Sequence, residues 1–182
     1  MSVPSLVHAR LPALRAVLPA RHSGDVDVLQ VPVPHLRTVL SFLRDDADVA
    51  CDHLVDITVV DHGPAAPAGA GRAGPRFLLV ILLSSRSHGT RVRVESALDD
   101  AEPTYPTLTT LWPGALLAER ELWDLFGVVA DGHPSLRRVV LPEGATGHPG
   151  RVNDAPGRSP WPPRGGSGGG AHGDGARDGG SR

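Results

Sequence analysis

The sequence predicts an α+β fold: a mixed or antiparallel sheet of about four to five strands with helices packed on it, followed by an extended, partly disordered C-terminal tail. Three features indicate this fold. Several short stretches alternate apolar and polar residues between turn-forming residues, which is typical of strands. Two longer stretches place apolar residues three and four positions apart, which is typical of amphipathic helices. The last 19 residues contain nine glycines and no large apolar side chain.

The N-terminal part of the chain is predicted to contain two helices and one strand. Leucines at helical spacing predict a short helix in residues 12–18. Residues 26–31 alternate and predict a strand. Residues 35–42 carry apolar side chains at positions i, i+3, i+4 and i+7, so they predict an amphipathic helix. The polar turn at residues 45–48 ends it.

The central part is predicted to form three strands of an antiparallel meander. Residues 54–61 are rich in β-branched side chains, and residues 62–75 read as a Gly-, Ala- and Pro-rich loop. Residues 76–83 are almost continuously apolar, which predicts a strand covered on both faces. After a turn at residues 84–89, residues 90–95 alternate charged residues with valine, which predicts a strand with one wet face.

The third part of the chain centres on one helix. Residues 97–104 fit a short helix or a loop, and residues 107–111 fit no single element. Residues 114–126 predict a helix that Gly127 ends, because glycine adopts the left-handed conformation at the C′ position. Residues 139–141 predict a short extended segment.

Composition limits the function classes. The 182 residues are 40% hydrophobic and 21% charged with a net charge of −2, which is typical of one globular domain and not of a nucleic-acid-binding protein. All 18 basic residues are arginine, which excludes a lysine Schiff base and a P-loop lysine. The single cysteine, Cys51, excludes an intramolecular disulfide and disfavours an iron–sulfur cluster held by this chain. Its apolar surroundings predict a buried core residue.

The sequence contains no segment suited to crossing a membrane. Its longest apolar run, residues 77–83, is far shorter than the about 20 residues that a spanning helix needs. The first 20 residues contain three prolines and no apolar signal core, so we expect no signal peptide. We therefore expect a cytoplasmic protein that reaches the membrane only through partners.

The predicted helix at residues 114–126 has one charged face. On a helical projection, Arg120, Glu121 and Asp124 lie opposite a broad apolar arc. Arg120 and Asp124 are four residues apart, so they are predicted to form an ion pair.

Glu119 departs from this pattern, because it falls inside the apolar arc. A buried carboxylate without a partner costs several kcal/mol (about 3 to 5 when a pair is broken), so it needs one or must be protonated. We hypothesise that Glu119 meets Arg137 or Arg138, either within the fold or across an interface with another protein chain. In the sequence between Glu119 and Arg137, the residues Gly132, His133 and Pro134 predict a tight turn.

Residues 119–127, followed by residues 132–134 and 136–139, closely resemble the motif of the thirty-kilodalton subunit of complex I, the NADH:quinone oxidoreductase. Weaker similarity upstream, at residues 54–61 and 109–115, extends the resemblance to roughly residues 26–154. The resemblance gives the following motif and interface residues: Glu119, Arg120, Glu121, Asp124, Gly127, Gly132, His133, Pro134, Arg137 and Arg138.

The resemblance implies a structural subunit with no active site or cofactor of its own. Members of this family dock in the peripheral arm to the large quinone-site subunit and the adjacent iron–sulfur subunit. The NADH, FMN, iron–sulfur clusters and quinone belong to the complex, which couples electron transfer to proton translocation at the cytoplasmic face of the cell membrane. The implied organisation has four parts: an N-terminal segment with a short helix (1–25), the family domain (26–143), an extended segment (144–164) and a disordered Gly-rich tail (165–182).

Two non-catalytic alternatives remain open. The same motif occurs in a homologous small subunit of membrane-bound nickel–iron hydrogenases and related complexes. A free-standing α+β interaction module is the second alternative, and it predicts a monomer without a stable partner.

Two enzymatic alternatives have less support from residue spacing. A metal hydrolase would need ligands such as Glu119, Asp124, His133 and His148, but no two of them have the spacing that places paired ligands on one helical face. An acid–base enzyme using Glu119 and Glu121 would need both on one side, whereas helix positions i and i+2 point about 200° apart.

Overall fold

The computed structural model describes residues 2–14, 20–23, 25–64 and 74–152. Within these ranges the helices are α1 (Val3–Arg10), a 3-10 helix (Pro12–Leu14), α2 (Val33–Asp45) and α3 (Ala115–Phe126). The strands are β1 (Ala20–Ser23), β2 (Val26–Gln30), β3 (His53–Asp61), β4 (Phe77–Ser84), β5 (Arg91–Ala97), β6 (Thr104–Pro106) and β7 (Val129–Asp131).

Five strands form one mixed sheet in the order β1-β2-β5-β4-β3. Strands β2 and β5 run parallel, and the other neighbours are antiparallel. Strands β6 and β7 form a separate parallel pair. The predicted α+β class with a sheet of about five strands is therefore confirmed.

The long elements agree with the sequence-based predictions, and the short ones agree less well. The predicted meander is β3-β4-β5, and the two predicted amphipathic helices are α2 and α3. Helix α1 and the short strands β1, β6 and β7 were not predicted. In the predicted helix at residues 12–18, the structure has a 3-10 helix at Pro12–Leu14.

Three predictions fall wholly or partly outside the described residues. These are the helix prediction at residues 15–18, the loop prediction at residues 65–73 and the extended and tail predictions beyond residue 152. They stay predictions.

The hydrophobic core lies on one face of the large sheet, where all three α-helices pack. Helix α2 buries Leu36, Val39, Leu40 and Leu43, the four positions that its spacing predicted. Pro34 is tolerated in the first turn of α2 because the N–H that proline lacks would have no intrahelical acceptor there.

Strand β4 is fully covered on one face and only partly covered on the other. Phe77, Leu79 and Ile81 are fully buried in the core; on the other face Val80 is buried, but Leu78 and Leu82 are partly exposed. For the part of the chain that the structure describes, the prediction that both faces of this strand are covered is therefore wrong at Leu78 and Leu82. An apolar strand whose second face lacks a covering layer is unusual, because antiparallel sheets with one wet face normally alternate apolar and polar residues.

Cys51 is fully buried, as predicted. Burial, together with the nearby Asp52 carboxylate, raises the pKa of its thiol to about 12. We expect iodoacetamide at about pH 8 to leave the folded chain unmodified and to alkylate it after unfolding in urea, because the thiolate is the reacting form. Intact-mass measurement checks this, and alkylation of the folded chain at the rate of a free thiol would contradict it.

None of the described helices is both long enough and apolar enough to cross a bilayer.

Candidate functional site

Helix α3 carries most of the motif, and a glycine ends it. Gly127 has φ +65°, in the left-handed region, and its N–H donates to the Trp123 carbonyl. The sequence predicted this glycine at the C′ position, and the structure confirms it. A β-carbon at Gly127 would lie only 2.6 Å from an Arg151 nitrogen and 2.7 Å from the His148 ring. Both the backbone conformation and the close approach therefore require glycine.

Glu119 is fully buried and contacts the segment after β6. Thr107 Oγ1 donates to Glu119 Oε2 at 2.6 Å, and the Leu108 N–H donates to Oε1 at 2.6 Å. The hypothesis that Glu119 pairs with Arg137 or Arg138 is wrong, because both carboxylate oxygens bind this turn instead. Sequence alone could not identify the Leu108 partner, since a backbone N–H leaves no residue-specific signal, and Thr107 lies in a stretch for which the sequence predicts no single element.

The surroundings of Glu119 favour its protonated form. Burial raises the pKa of this carboxyl group above its usual value, although the hydrogen bonds from Thr107 and Leu108 act in the opposite direction. The carboxylate therefore links α3 to the turn that precedes it, and its charge depends on pH.

Asp124 is the second buried carboxylate of α3. Its Oδ2 accepts the N–H groups of Val139, Val140 and Leu141 at 2.9, 2.8 and 2.9 Å. Its Oδ1 pairs with the Arg138 guanidinium. Three successive N–H groups that converge on one oxygen cannot alternate as in a strand, so the predicted extended segment at residues 139–141 is a series of bends instead.

The hydrogen bonds to Asp124 determine its charge state. Burial acts to raise the pKa of this carboxyl group, but the three backbone N–H groups and Arg138 outweigh burial and lower the pKa to about 2. Asp124 is therefore ionised at neutral pH. The predictions that it lies on the exposed face of α3 and pairs with Arg120 are both wrong.

Arg120 instead binds the backbone of the segment that follows the turn. Its Nε donates to the Arg137 carbonyl at 3.0 Å, and its Nη2 donates to the Arg138 carbonyl at 2.8 Å. Arg120 and Asp124 thus bind residues 137–141 from the same helix, one through carbonyls and the other through N–H groups.

The turn that connects these parts has the predicted geometry. Gly132 has φ +81°, and Pro134 follows His133. The Ser135 N–H donates to His133 Nδ1 at 3.0 Å, so Nε2 carries the ring proton and donates to the Leu116 carbonyl at 3.0 Å. Through these two hydrogen bonds, His133 connects the Gly132–Pro134 turn to the first turn of α3.

A second Gly-His-Pro, at residues 147–149, binds the other end of α3. His148 Nδ1 bonds to the Asp124 carbonyl at 3.1 Å, the Gly150 N–H to the Leu125 carbonyl at 2.9 Å, and Arg151 Nε to the Phe126 carbonyl at 2.6 Å. These groups satisfy carbonyls that have no partner within the helix. This role was not predicted from the sequence, where the second Gly-His-Pro, after the first at residues 132–134, is the signal that marks it.

Two charged motif residues remain at the surface. Glu121 and Arg137 are exposed, and within the described residues neither side chain makes a hydrogen bond or an ion pair. Beside them lie Leu117, which is 56% exposed, and Val140, which is 47% exposed. We call these four residues the motif surface. Arg120 joins its two parts, because it is on α3 and bonds to the Arg137 carbonyl.

The geometry also bears on the two enzymatic alternatives. Glu119 and Asp124 bind different backbone segments, and the described residues contain no group of three His, Cys, Asp or Glu side chains placed to hold a metal ion. Glu119 is buried whereas Glu121 is exposed, so the two carboxylates do not share a site.

We expect Gly127→Ala to lower the free energy of unfolding by about 1 to 3 kcal/mol, because alanine is strained at positive φ and its β-carbon meets Arg151 and His148. Urea denaturation followed by tryptophan fluorescence measures this change. Gly89→Ala is the matched control, since Gly89 also has positive φ (+63°) but has nothing within 4 Å of the added carbon. Equal losses for the two variants would show that the contacts at Gly127 contribute nothing.

Comparison with known proteins identifies relatives over most of the chain. Residues 29–159 match the family described as the 30 Kd subunit of respiratory-chain NADH dehydrogenase. The chain is 38% identical over 145 residues to the C subunit of the NADH-quinone oxidoreductase of Roseiflexus sp. (strain RS-1), a match that covers 76% of this chain and 78% of that protein.

Two further matches extend this comparison. The C/D subunit of the NADH-quinone oxidoreductase of Sulfurihydrogenibium sp. (strain YO3AOP1) is 38% identical over 124 residues, which cover 67% of this chain and 20% of that protein. A solved trypsin-resistant fragment of Nqo5 aligns with a TM-score of 0.57 and 27% identity, covering 71% of this chain and 98% of the fragment.

Proposed function

The chain belongs to the family of the 30 Kd subunit of respiratory-chain NADH dehydrogenase, and we propose that it is a structural subunit of the peripheral arm of an NADH:quinone oxidoreductase. In this role it has no active site and holds no cofactor. The NADH, FMN, iron–sulfur clusters and quinone are bound by other subunits, and the complex couples electron transfer to proton translocation.

This proposal rests on one observation: some charged motif residues bind groups of the same chain, and others are exposed without such contacts. Glu119, Arg120 and Asp124 bind backbone groups of the same chain. They therefore shape the surface and are not positioned to react with a substrate. Glu121 and Arg137, which lie beside exposed Leu117 and Val140, are the charged residues left for a partner.

The chemistry of the motif surface suits a protein partner. Exposed leucine and valine gain free energy when a partner removes them from water, at about 25 cal/mol per Å² of apolar area. The opposite charges of Glu121 and Arg137 fix the orientation of that partner, because each favours the opposite sign across the contact. We propose the large quinone-site subunit and the adjacent iron–sulfur subunit as the partners.

One relative supports a direct contact with another subunit. The matched region is only a fifth of the Sulfurihydrogenibium chain, whose name joins the C and D subunits. A region that is covalently continuous with a second subunit in one relative is expected to lie against that subunit where the two are separate chains. In the proposed role the chain lies at the cytoplasmic face of the membrane, which it reaches only through its partners.

Affinity purification of the tagged chain from gently solubilised membranes of its own host tests the proposal. We expect the quinone-site subunit to co-purify together with NADH- and flavin-binding subunits. Recovery of a nickel-bearing large subunit would assign the chain to the hydrogenase relatives instead. Recovery of the chain alone from the soluble fraction would mean that it is a free-standing module.

A charge reversal in the motif surface tests where the partner binds. We expect Glu121→Arg to reduce recovery of the partner subunits on the order of tenfold, because it places a like charge across the contact. Glu102→Arg is the matched control, since Glu102 is an exposed carboxylate away from α3. Equal recovery with both variants would remove Glu121 from the interface.

A further inference from the structure

The second face of the large sheet, opposite the helices, has the features of a separate binding surface. The strand registers place Arg21, Val28, Arg93, Leu82 and Asp56 in one row across all five strands. Val28 is 1% exposed and Val80 is 9% exposed, yet neither belongs to the core cluster that the helices cover. We call this side of the sheet the open sheet face.

The floor of the open sheet face is apolar where a wet face would be polar. Successive residues of a strand point to opposite sides, so Leu78, Val80 and Leu82 of β4 all face this side. On the neighbouring edge strand, Val60 is 37% exposed. Of these residues, Val60, Val80 and Leu82 line a shallow groove of about 400 Å³ together with Val26 and Val28, whereas Leu78 lies outside its lining.

Two arginines form one wall of this groove around a buried carboxylate. Glu95 is only 3% exposed, and Arg21 Nη2 lies 2.7 and 2.9 Å from its two carboxylate oxygens. Arg93 Nε lies 3.0 Å from the same carboxylate, and its side chain is 41% exposed. Two guanidinium groups therefore share one carboxylate, which leaves an excess positive charge on this wall.

The opposite wall carries the other sign. Asp56 of the edge strand β3 lines the groove on the far side of Leu82, and its backbone pairs with Leu82 across the strands. The groove therefore runs from a positive wall, over an apolar floor, to an acidic edge. Such a surface favours a partner with an apolar segment, and its two opposite charges favour one orientation of that partner.

We infer that the open sheet face is a second docking surface. Its occupant is a segment of a neighbouring subunit that places apolar side chains on Val80 and Leu82 and a carboxylate opposite Arg21 and Arg93. This inference rests on the proposed function, because it takes the neighbour from the same complex. The two docking surfaces are distinct, because the open sheet face lies on the side of the sheet opposite α3 and the motif surface. Two docking surfaces on opposite sides of one sheet make the chain a bridge between subunits.

Photo-crosslinking in the assembled complex tests this inference. A benzophenone-bearing amino acid is placed at Val60 or Leu82 of the tagged full-length chain, and at Arg37 on the exposed side of α2 as the control. After irradiation of native membranes, mass spectrometry identifies the adducts. We expect both groove positions to crosslink to another subunit with a yield on the order of tenfold above that at Arg37.

Three results would overturn the inference. They are adducts only to this chain's own residues, adducts only to a second copy of this chain, and no adduct at Val60 and Leu82 although the chain co-purifies with the complex. The last result leaves the proposed function intact. If the unmodified chain co-purifies with no respiratory subunit, the proposed function itself fails, and the inference fails with it.

Removal of the Arg21 charge tests whether the occupant of the open sheet face carries a carboxylate at this position. We expect Arg21→Ala to lower the crosslink yield from Val60 several-fold while Arg37→Ala leaves it unchanged. In the Arg21→Ala chain Glu95 keeps Arg93 as a partner, so we expect the sheet to stay intact. A melting temperature within a few degrees of the parent's confirms this. An unchanged yield in a folded Arg21→Ala chain would contradict the acidic occupant.

Discussion

Asp124→Ala is expected to lower the free energy of unfolding by about 3 to 5 kcal/mol, the range for removing one partner of a buried ion pair. The substitution leaves the Arg138 guanidinium without its carboxylate and takes the acceptor from the N–H groups of residues 139–141. Because a domain is stable by only about 5 to 15 kcal/mol, this loss is a large share of the total. Urea denaturation of the isolated chain measures it.

A matched control separates this effect from the loss of a charge. Asp131 is exposed in β7, so Asp131→Ala is expected to change stability by less than about 0.5 kcal/mol. A loss of similar size in both variants would show that the hydrogen bonds to Asp124 contribute little.

Asp124 also predicts a dependence of stability on acid. Its pKa in the folded chain is lowered to about 2, below the value of about 3.9 for an unfolded aspartate. A lowered folded-state pKa gives stability that is present above the unfolded value and is lost as the pH falls toward the folded one. We expect Asp124→Asn to flatten the stability profile between about pH 4 and pH 2. A variant profile parallel to that of the parent would contradict this.

Glu119→Ala is the second large effect, with an expected loss of about 2 to 4 kcal/mol. It leaves the buried Leu108 N–H without an acceptor and opens a cavity beside the turn. Glu119→Gln is the matched variant, because the amide oxygen accepts from Leu108 and the amide N–H₂ donates to Thr107 Oγ1. We expect it to cost no more than about 1 kcal/mol at neutral pH. Equal losses in the two variants would show that the hydrogen bonds do not matter.

The pH dependence of Glu119 has the opposite sign to that of Asp124. Burial raises the pKa of Glu119, so its contribution is fully present below the unfolded value of about 4.3 and declines as the pH rises through the raised folded value. We expect Glu119→Gln to gain stability relative to the parent as the pH rises above about 4. Denaturation curves of both chains from acid to neutral pH measure this, and a constant difference between them would contradict it.

The motif illustrates where prediction from the sequence fails. Helical periodicity correctly placed Glu119 inside the apolar arc of α3, but it placed Asp124 on the exposed face. Periodicity describes the helix alone, whereas Asp124 is buried by residues 138–141, a later segment that wraps over its polar side. The partners of both carboxylates are mostly backbone N–H groups, which every residue except proline supplies, so the sequence contains no signal for them.

The sequence by itself determined the α+β class, the β3-β4-β5 meander, the two amphipathic helices, the ending of α3 at Gly127 and the family resemblance. These depend on local periodicity, turn chemistry and a long motif, all of which are readable within a few tens of residues. Only the tertiary structure decided the parallel pairing of β2 with β5, the partners of Glu119 and Asp124, and the partial exposure of the second face of β4. These depend on contacts between residues far apart in the chain, whose geometry exists only after the sheet and helices have packed.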